Sequence, residues 1–259
     1  QGTFVISVSE GPVTNTKLEV LRADLESFKN LFQNPPVGHK NGSYFVRGES
    51  LTGQRLDQSI PHAAFLILDG DKSFDPQTGH IHASGPHPRL VHESLIEMGV
   101  PHLIYTHSHD PERHVYKFRV IIPVPLQNHE ELLAVVDYFI AELNQKGVYI
   151  ANVGENGSWS QPWYFPRLRE SNSEFLLYQY DEVPLLSRSF VEPVVEDWRN
   201  RRCASRAVAQ SYDFQFDARP ISGAIGRYIQ DHGRPEQMLA LLEAHGYVLS
   251  HFDSVNGQV

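Results

Sequence analysis

Several features that would assign a chain to a class are scarce or missing in this sequence. A single cysteine, Cys203, excludes an internal disulfide and suits a reducing compartment. No apolar run reaches the about 20 residues that a membrane helix needs, and no charged and then apolar leader opens the sequence. No internal repeat is visible. We therefore expect a cytoplasmic protein without a membrane partner.

Basic residues are also in the minority. The 259 residues include 22 lysines and arginines against 31 acidic residues, which gives a formal net charge of -9. This balance argues against binding through a generally basic surface, but a local basic groove for nucleic acid is compatible with it. The hydrophobic content of 41% is ample for a buried core, and the length suits one large domain or a domain with a smaller appendage.

Two carboxylates follow directly on an apolar run. Residues 64–68 are β-prone and lie between Pro61 and Gly70, which predicts a buried strand that leads into Asp69 and Asp71. Since side chains i and i+2 of a strand share a face, the two acids are expected to converge. Two ionised carboxylates at that separation favour a cationic side chain or a divalent cation beside them. The alternative is a plain Asp-Gly-Asp turn.

The remaining pattern predicts an α+β fold. A strand at 3–9 and an amphipathic helix at about 15–33 begin an N-terminal αβ unit over residues 1–60. The order strand, helix, strand, strand, helix, strand follows over residues 61–185, and it is that of a ferredoxin-like or RNA-recognition-like βαββαβ sheet. Its predicted elements are 64–68, 88–98, 102–106, 116–123, 129–146 and 148–151, with further strand material at 163–165.

In such a sheet the first and third strands are central neighbours. The third predicted strand carries Lys117 and Arg119 at i and i+2, so two cations can face the two acids. The turn before it contains the His-Ser-His sequence of His107, Ser108 and His109. This set suits metal-dependent phosphoryl transfer, in which carboxylates hold the cations while His, Lys and Arg neutralise a polyphosphate. The alternative is that the histidines are solvated loop residues and the cations the exposed face of an edge strand.

The order and spacing of these motifs resemble the archaeo-eukaryotic primase superfamily, in particular the primase-polymerase domains of phage- and plasmid-type replication proteins. The resemblance covers residues 64–167 and rests on the acid pair, on YTHSHDPERHVYKFRVIIPV at 105–124, on the long helix after it and on SQPWYFPR at 160–167. It implies DNA-templated nucleotidyl transfer, either primer synthesis or DNA polymerisation, on single-stranded DNA. It also implies NTP or dNTP substrates and a helicase in the same chain or as a partner, in a bacterial or archaeal cell, phage or plasmid.

The resemblance implies a role for each candidate residue. Asp69 and Asp71 would bind Mg²⁺ or Mn²⁺, two ions in all, and together with His109 they would form the catalytic set. Nucleotide phosphates would be bound by Ser108, His109, Lys117 and Arg119, and DNA by Arg113, Arg167 and Trp159. The catalytic domain would span 1–203, ahead of a linker at 204–220 and a small helical module at 221–259 that we expect to be cut from a longer polypeptide.

The third motif departs from the family pattern. A hydrophobic residue and an Asp are expected after the strand at 148–151, yet the sequence there reads IANVGE at 150–155. Asn152 can offer a carbonyl oxygen and Glu155 a carboxylate, so either could complete the metal site. The alternative is a module that binds nucleotide or single-stranded DNA without catalysis.

A third class of function is a nicking endonuclease of the His-hydrophobic-His type. His80 and His82 would hold one metal, and Tyr138 on the long helix would be the nucleophile. Against this alternative, the two histidines lie among Gly, Pro and Ser, and the residues after Tyr138 lack a lysine at the usual spacing.

Overall fold

The computed structural model describes residues 3–38, 42–107, 115–171 and 173–211. A compact unit ends at Ser205 and a second unit begins at Arg206. The helices of the described residues are α1 Leu25–Gln33, α2 Pro88–Glu97, α3 His129–Gln145, α4 Gly154–Gly157 and α5 Arg188–Ser211. Their strands are β1 Phe4–Ser9, β2 Glu19–Ala23, β3 Tyr44–Val46, β4 Ala63–Asp69, β5 Ser73–Phe74, β6 Ile81–His82, β7 His102–Thr106, β8 Phe118–Leu126, β9 Trp163–Tyr164 and β10 Leu177–Tyr180.

A four-stranded antiparallel sheet with the order β10-β7-β8-β4 forms the centre of the first unit. Apolar residues at alternate positions, such as Leu66, Leu68 and Ile104, join Val91 of α2 and Leu132 of α3 in one buried cluster. Both helices carry their apolar side chains at helical spacing, so each buries one face against this sheet.

A second antiparallel sheet, with the order β2-β1-β3-β9, packs on the opposite face of the central sheet. The layer between them is largely aromatic and includes Phe65 of β4 stacked on Phe28 of α1, with ring centroids 4.5 Å apart. Burial of both faces explains why β4 is a continuous apolar run and not an alternating one. Within the described ranges, no helix has the length and hydropathy needed to cross a membrane.

The α+β class is confirmed, and the order strand, helix, strand, strand, helix is present as β4, α2, β7, β8 and α3. The predicted last strand at 148–151 is absent, because Ile150 forms only an isolated bridge with Ser73. The fourth place in the sheet is taken by β10, which pairs with β7 and not with β4. The strand β4 therefore lies at the edge of this sheet and not in the predicted central position, although it does pair with β8. The four-stranded order of an RNA-recognition-like sheet is therefore not confirmed.

The N-terminal prediction of one helix at 15–33 is wrong in its first half. Residues Glu19–Ala23 form β2, which pairs with β1, and the carboxylate of Asp24 accepts a hydrogen bond of 2.7 Å from the Ser27 N–H to start α1. Leucines three or four positions apart fit a helix, but the partner strand β1 and this N-cap determine the outcome. At the other end, α5 continues to Ser211, past the predicted start of the linker at 204. The predicted module at 221–259 lies outside the described residues.

Candidate metal centre

Strand register places Asp69, Arg119 and Tyr105 in one row across the central sheet. Asp69 of β4 is the register partner of Arg119 of β8, which is also the partner of Tyr105 of β7. Directly paired residues project to the same face of an antiparallel sheet. This is the face that packs toward the second sheet, since Tyr105 belongs to the aromatic layer.

A second row lies two residues from the first, just past the ends of the three strands, and contains Asp71, Lys117 and His107. The pairing continues past the strand ends, because the Gly70 N–H donates to the Phe118 carbonyl at 2.8 Å and the His107 N–H to the Lys117 carbonyl at 3.0 Å. Lys117 Nζ lies 3.8 Å from Asp71 Oδ2. The predicted convergence of the two acids and their proximity to Lys117 are thus present.

The ligand atoms of Asp69, Asp71 and His107 lie within 4.8 Å of one another, a spacing that could hold a metal ion. His107 Nε2 is 2.9 Å from Asp71 Oδ1 and 3.7 Å from Asp69 Oδ1. Asp69 Oδ1 is buried and accepts no hydrogen bond from the residues that the structure describes. A buried carboxylate oxygen without a donor is unfavourable, and a bound cation would stabilise it. The donor set therefore fits a divalent cation.

The charge state of Asp71 suits a metal ligand. Burial raises the pKa of its carboxyl, but the hydrogen bond and charge of His107, together with the charges of Lys117 and Arg119, lower the pKa from 3.8 to about 2. The carboxyl is therefore ionised at neutral pH, which is the form that binds a cation.

The fully buried amide of Asn156 supports the backbone of the acid pair. Its Oδ1 accepts a hydrogen bond of 2.8 Å from the Asp69 N–H, and its Nδ2 donates to Asn152 Oδ1 at 3.4 Å. The Asn152 amide donates in turn to Asp137 at 3.3 Å. Asn152 thus belongs to a network behind the site. Glu155 is exposed and is not part of the three-residue group.

Two of the three predicted DNA-binding residues, Trp159 and Arg167, are among the described residues. Trp159 is buried, and its indole N–H donates to the Ile60 carbonyl at 2.7 Å, so its ring is part of the core. Arg167 is half-buried against Gly42, where a Cβ would lie 2.0 Å from Arg167 Nε. The glycine therefore makes room for this guanidinium. The third predicted DNA-binding residue, Arg113, lies outside the described residues, as do the predicted nucleotide ligands Ser108 and His109.

The residues of the endonuclease alternative are not part of the three-residue group. His80 and His82 are exposed in the small β5–β6 hairpin, with ring centroids 4.8 Å apart. Tyr138 packs against Phe190 of α5. Within the described part of the chain, the group of Asp69, Asp71 and His107 is the one found with three close metal-ligating side chains.

The sequence predicts His107 only as a member of the His-Ser-His turn beside the acids, without a metal-binding role, and it does not predict Asn156. The alternation of β7 carries a signal for His107, because it lies two positions after the inward-facing Tyr105. Asn156 has no local signal, since it is 87 positions from Asp69 and only the tertiary fold brings them together.

Comparisons with models of protein families, with curated proteins and with solved structures give no match for this chain. The resemblance to the primase superfamily accordingly rests on the sequence motifs alone. What the site can do chemically follows from its side chains, namely two carboxylates and an imidazole that can hold a cation beside Lys117 and Arg119.

Proposed function

We propose that the chain is a metal-dependent nucleotidyltransferase that joins nucleotides on a single-stranded DNA template. The observation that carries the proposal is the position of Asp69, Asp71 and His107 on the same sheet face as Lys117 and Arg119. Phosphoryl transfer needs cation-binding carboxylates next to groups that neutralise a polyphosphate. The templated substrate class and the helicase partner come from the resemblance of the motifs.

Asp69, Asp71 and His107 would hold a divalent cation. Carboxylate oxygens suit both Mg²⁺ and Mn²⁺, whereas an imidazole ligand favours Mn²⁺ over Mg²⁺. When bound, the cation would lower the pKa of the attacking 3′-hydroxyl and stabilise charge on the α-phosphate oxygens. A second cation would need further ligands, for which Glu155 and the carbonyl oxygen of Asn152 remain candidates.

Lys117 and Arg119 would bind the triphosphate in different ways. The Lys117 side chain is 33% exposed, so its ammonium can leave Asp71 and follow a phosphate. Arg119 is held in place, because its Nη1 donates to the Tyr164 carbonyl at 3.0 Å. A fixed guanidinium orients a phosphate by its planar set of donors, and a flexible ammonium adds charge. Ser108 and His109 are predicted to add further phosphate contacts.

Incorporation of labelled dNTP or NTP on primed and unprimed single-stranded DNA, with Mn²⁺ or Mg²⁺, tests the proposal. The Asp69→Asn/Asp71→Asn variant should lose incorporation. The Glu93→Gln/Asp197→Asn variant removes the same charge from two exposed helix acids that pair with Arg89 and Arg201, and it should retain activity. Lack of incorporation by the parent chain would contradict the function, and full activity of the first variant would contradict the site.

A non-catalytic module that binds nucleotide or single-stranded DNA is the second candidate. It is favoured by Asn152, which stands where the family pattern has an acid and is engaged with Asp137 and Asn156. One charge fewer weakens the binding of a second cation. This candidate predicts that the parent chain binds dNTP or oligonucleotide but incorporates nothing with either metal.

A further inference from the structure

Two arginines are buried in the layer between the two sheets. Arg47, which follows β3 of the second sheet, is 0% exposed, and Arg119 of the central sheet is 6% exposed. Their guanidinium carbons lie 5.5 Å and 5.4 Å from the centre of the Trp163 ring. Each sheet thus contributes one cation to the same aromatic side chain, at a distance suited to a cation–π contact.

These three side chains have many unused hydrogen-bond donors. Nε and Nη2 of Arg47, Nε of Arg119 and Nε1 of Trp163 are buried and donate no hydrogen bond within the described ranges. Among the described residues, the side chain of Arg47 makes one hydrogen bond, and it is long, 3.4 Å from Nη1 to the Asn156 carbonyl. A buried cation without a partner is strongly destabilising, and each buried donor without an acceptor adds to the cost.

The charge of Arg47 is less compensated than that of Arg119. Burial lowers the pKa of Arg119, but Tyr105, Asp69 and Asp71 outweigh it, so the net shift is upward. Burial alone acts on Arg47 and lowers its pKa from 12.5 to about 9, with no charged group among the described residues to offset it. An acceptor-rich anion would satisfy both its charge and its donors.

We propose that Arg47, together with Arg119 and the Trp163 indole N–H, forms a phosphate-binding subsite beside the metal centre. Phosphate oxygens accept several hydrogen bonds at once and match the planar donor set of a guanidinium. The subsite adjoins the end of β4, the strand that carries Asp69. Arg47 contacts the carbonyl of Asn156, and the Asn156 side chain binds the Asp69 backbone.

The source of the phosphate rests on the proposed function, since it is either the triphosphate of a nucleotide or a phosphodiester of DNA. Binding of the anion itself requires neither metal nor turnover. The subsite can therefore be tested without catalysis, and its failure would leave nucleotidyl transfer standing. Conversely, a chain that incorporates no nucleotide could still bind phosphate here.

The experiment measures binding of tripolyphosphate, a dNTP and an oligo-dT strand by calorimetry without metal, in the parent chain and in Arg47→Met. Methionine keeps the apolar stem and removes the charge and donors. We expect tripolyphosphate affinity to fall by about 10- to 100-fold, the equivalent of losing charge-assisted hydrogen bonds. The Tm without anion should be equal to or above that of the parent, because an unpaired buried charge has been removed.

Arg55→Met is the matched control. Arg55 is half-buried, its guanidinium carbon lies 5.7 Å from the centre of the Tyr44 ring, and it donates to the Val13 carbonyl. Its substitution therefore removes a similar contact between a guanidinium and an aromatic ring, but outside the subsite. It should bind tripolyphosphate like the parent. If Arg47→Met does not fold, Arg47→Lys keeps the charge without the planar donors and should show a smaller loss.

The two sources are separated by the other probes. Loss of dNTP binding with intact oligo-dT binding assigns the subsite to the nucleotide, and the reverse assigns it to the DNA backbone. No tripolyphosphate binding by the parent, or equal affinity in the parent and in the folded Arg47 variants, overturns the proposal.

Discussion

The side-chain Oδ1 of Asn156 lies 2.8 Å from the backbone nitrogen of Asp69 and accepts its hydrogen bond. Asn156 is bonded to Asn152, Asn152 to Asp137, and Asp137 Oδ2 accepts a hydrogen bond of 2.7 Å from the indole of Trp198 on α5. A hydrogen-bonded series therefore runs from the last described helix to the strand that presents the carboxylates. The position of those carboxylates therefore depends on residues outside the three-residue metal group.

Asn156→Ala should weaken Mn²⁺ binding by about 10- to 100-fold, the usual effect of losing an outer-shell partner. The substitution leaves the Asp69 N–H buried without its acceptor and frees the strand end to move. Calorimetric titration with Mn²⁺ measures the effect, and circular dichroism checks the fold. Asn152→Ala removes the next link only and should have a smaller effect. An unchanged Kd in folded Asn156→Ala would show that this amide does not position the site.

His107→Gln should weaken Mn²⁺ binding more than Mg²⁺ binding. Glutamine replaces the imidazole nitrogen by an amide oxygen, which is a ligand type that Mg²⁺ accepts, so the preference between the two ions changes. Competition titrations with both metals report the ratio of their affinities. His82→Gln is the control, because it removes an imidazole from the exposed β5–β6 hairpin. An equal loss for both ions would mean that His107 acts through charge and not as a ligand.

The convergence of the carboxylates was predictable because it depends on local geometry. The apolar run that leads into Asp69 and Asp71 predicts a strand. Side chains two positions apart in a strand lie on the same face, so both acids are placed on one face. The same rule places Lys117, the residue before β8, on the same face as Arg119. What could not be predicted is how segments distant in sequence pair, because two residues such as Trp163 and Tyr164 carry no pattern that selects β3 as their partner.

The error at 148–151 has the same origin. The apolar residues of that segment fit a strand, but Ile150 makes a single bridge to Ser73, while β10 reaches the sheet from 177–180. Trp159 in turn was assigned to DNA by residue type. Its burial against Ile60 depends on contacts about a hundred positions apart, for which the local sequence has no signal.

Acidification from pH 6.5 to 4 should destabilise the fold through His102. Its Nδ1 lies 2.7 Å from the Val100 carbonyl, so this nitrogen carries the proton, and Nε2 accepts from His92 Nδ1 at 2.8 Å. Burial lowers the pKa of His102 from 6.5 to about 4, although the bond to Val100 opposes the shift. The unfolded chain therefore binds a proton in this range that the folded chain does not, and stability falls as pH falls.

The loss should approach about 3 kcal/mol between pH 6.5 and pH 4. Burial also lowers the pKa of His92, which acts in the same direction. Asp71 contributes outside this window, because its lowered pKa of about 2 stabilises the fold above pH 3.8 and the contribution is lost only between pH 3.8 and 2. Urea unfolding at several pH values measures the free energy of unfolding as a function of pH. This free energy should fall less on acidification in His102→Gln than in His82→Gln. An equal fall in both variants would exclude His102 as its source.

Trp159→Leu should lower stability and leave DNA affinity unchanged, because the ring lies in the core. Leucine fills only part of the space of the indole, so the cavity should cost about 2 kcal/mol or more, and the Ile60 carbonyl also loses its donor. If the ring stacked on a base instead, its loss would weaken DNA binding by about 1 to 3 kcal/mol. Urea unfolding and fluorescence anisotropy with labelled oligo-dT measure the two quantities on one preparation. Trp159→Phe keeps an aromatic ring without the N–H and should show the smaller loss of stability, whereas a fall in oligo-dT affinity in Trp159→Leu at unchanged stability would assign the ring to DNA.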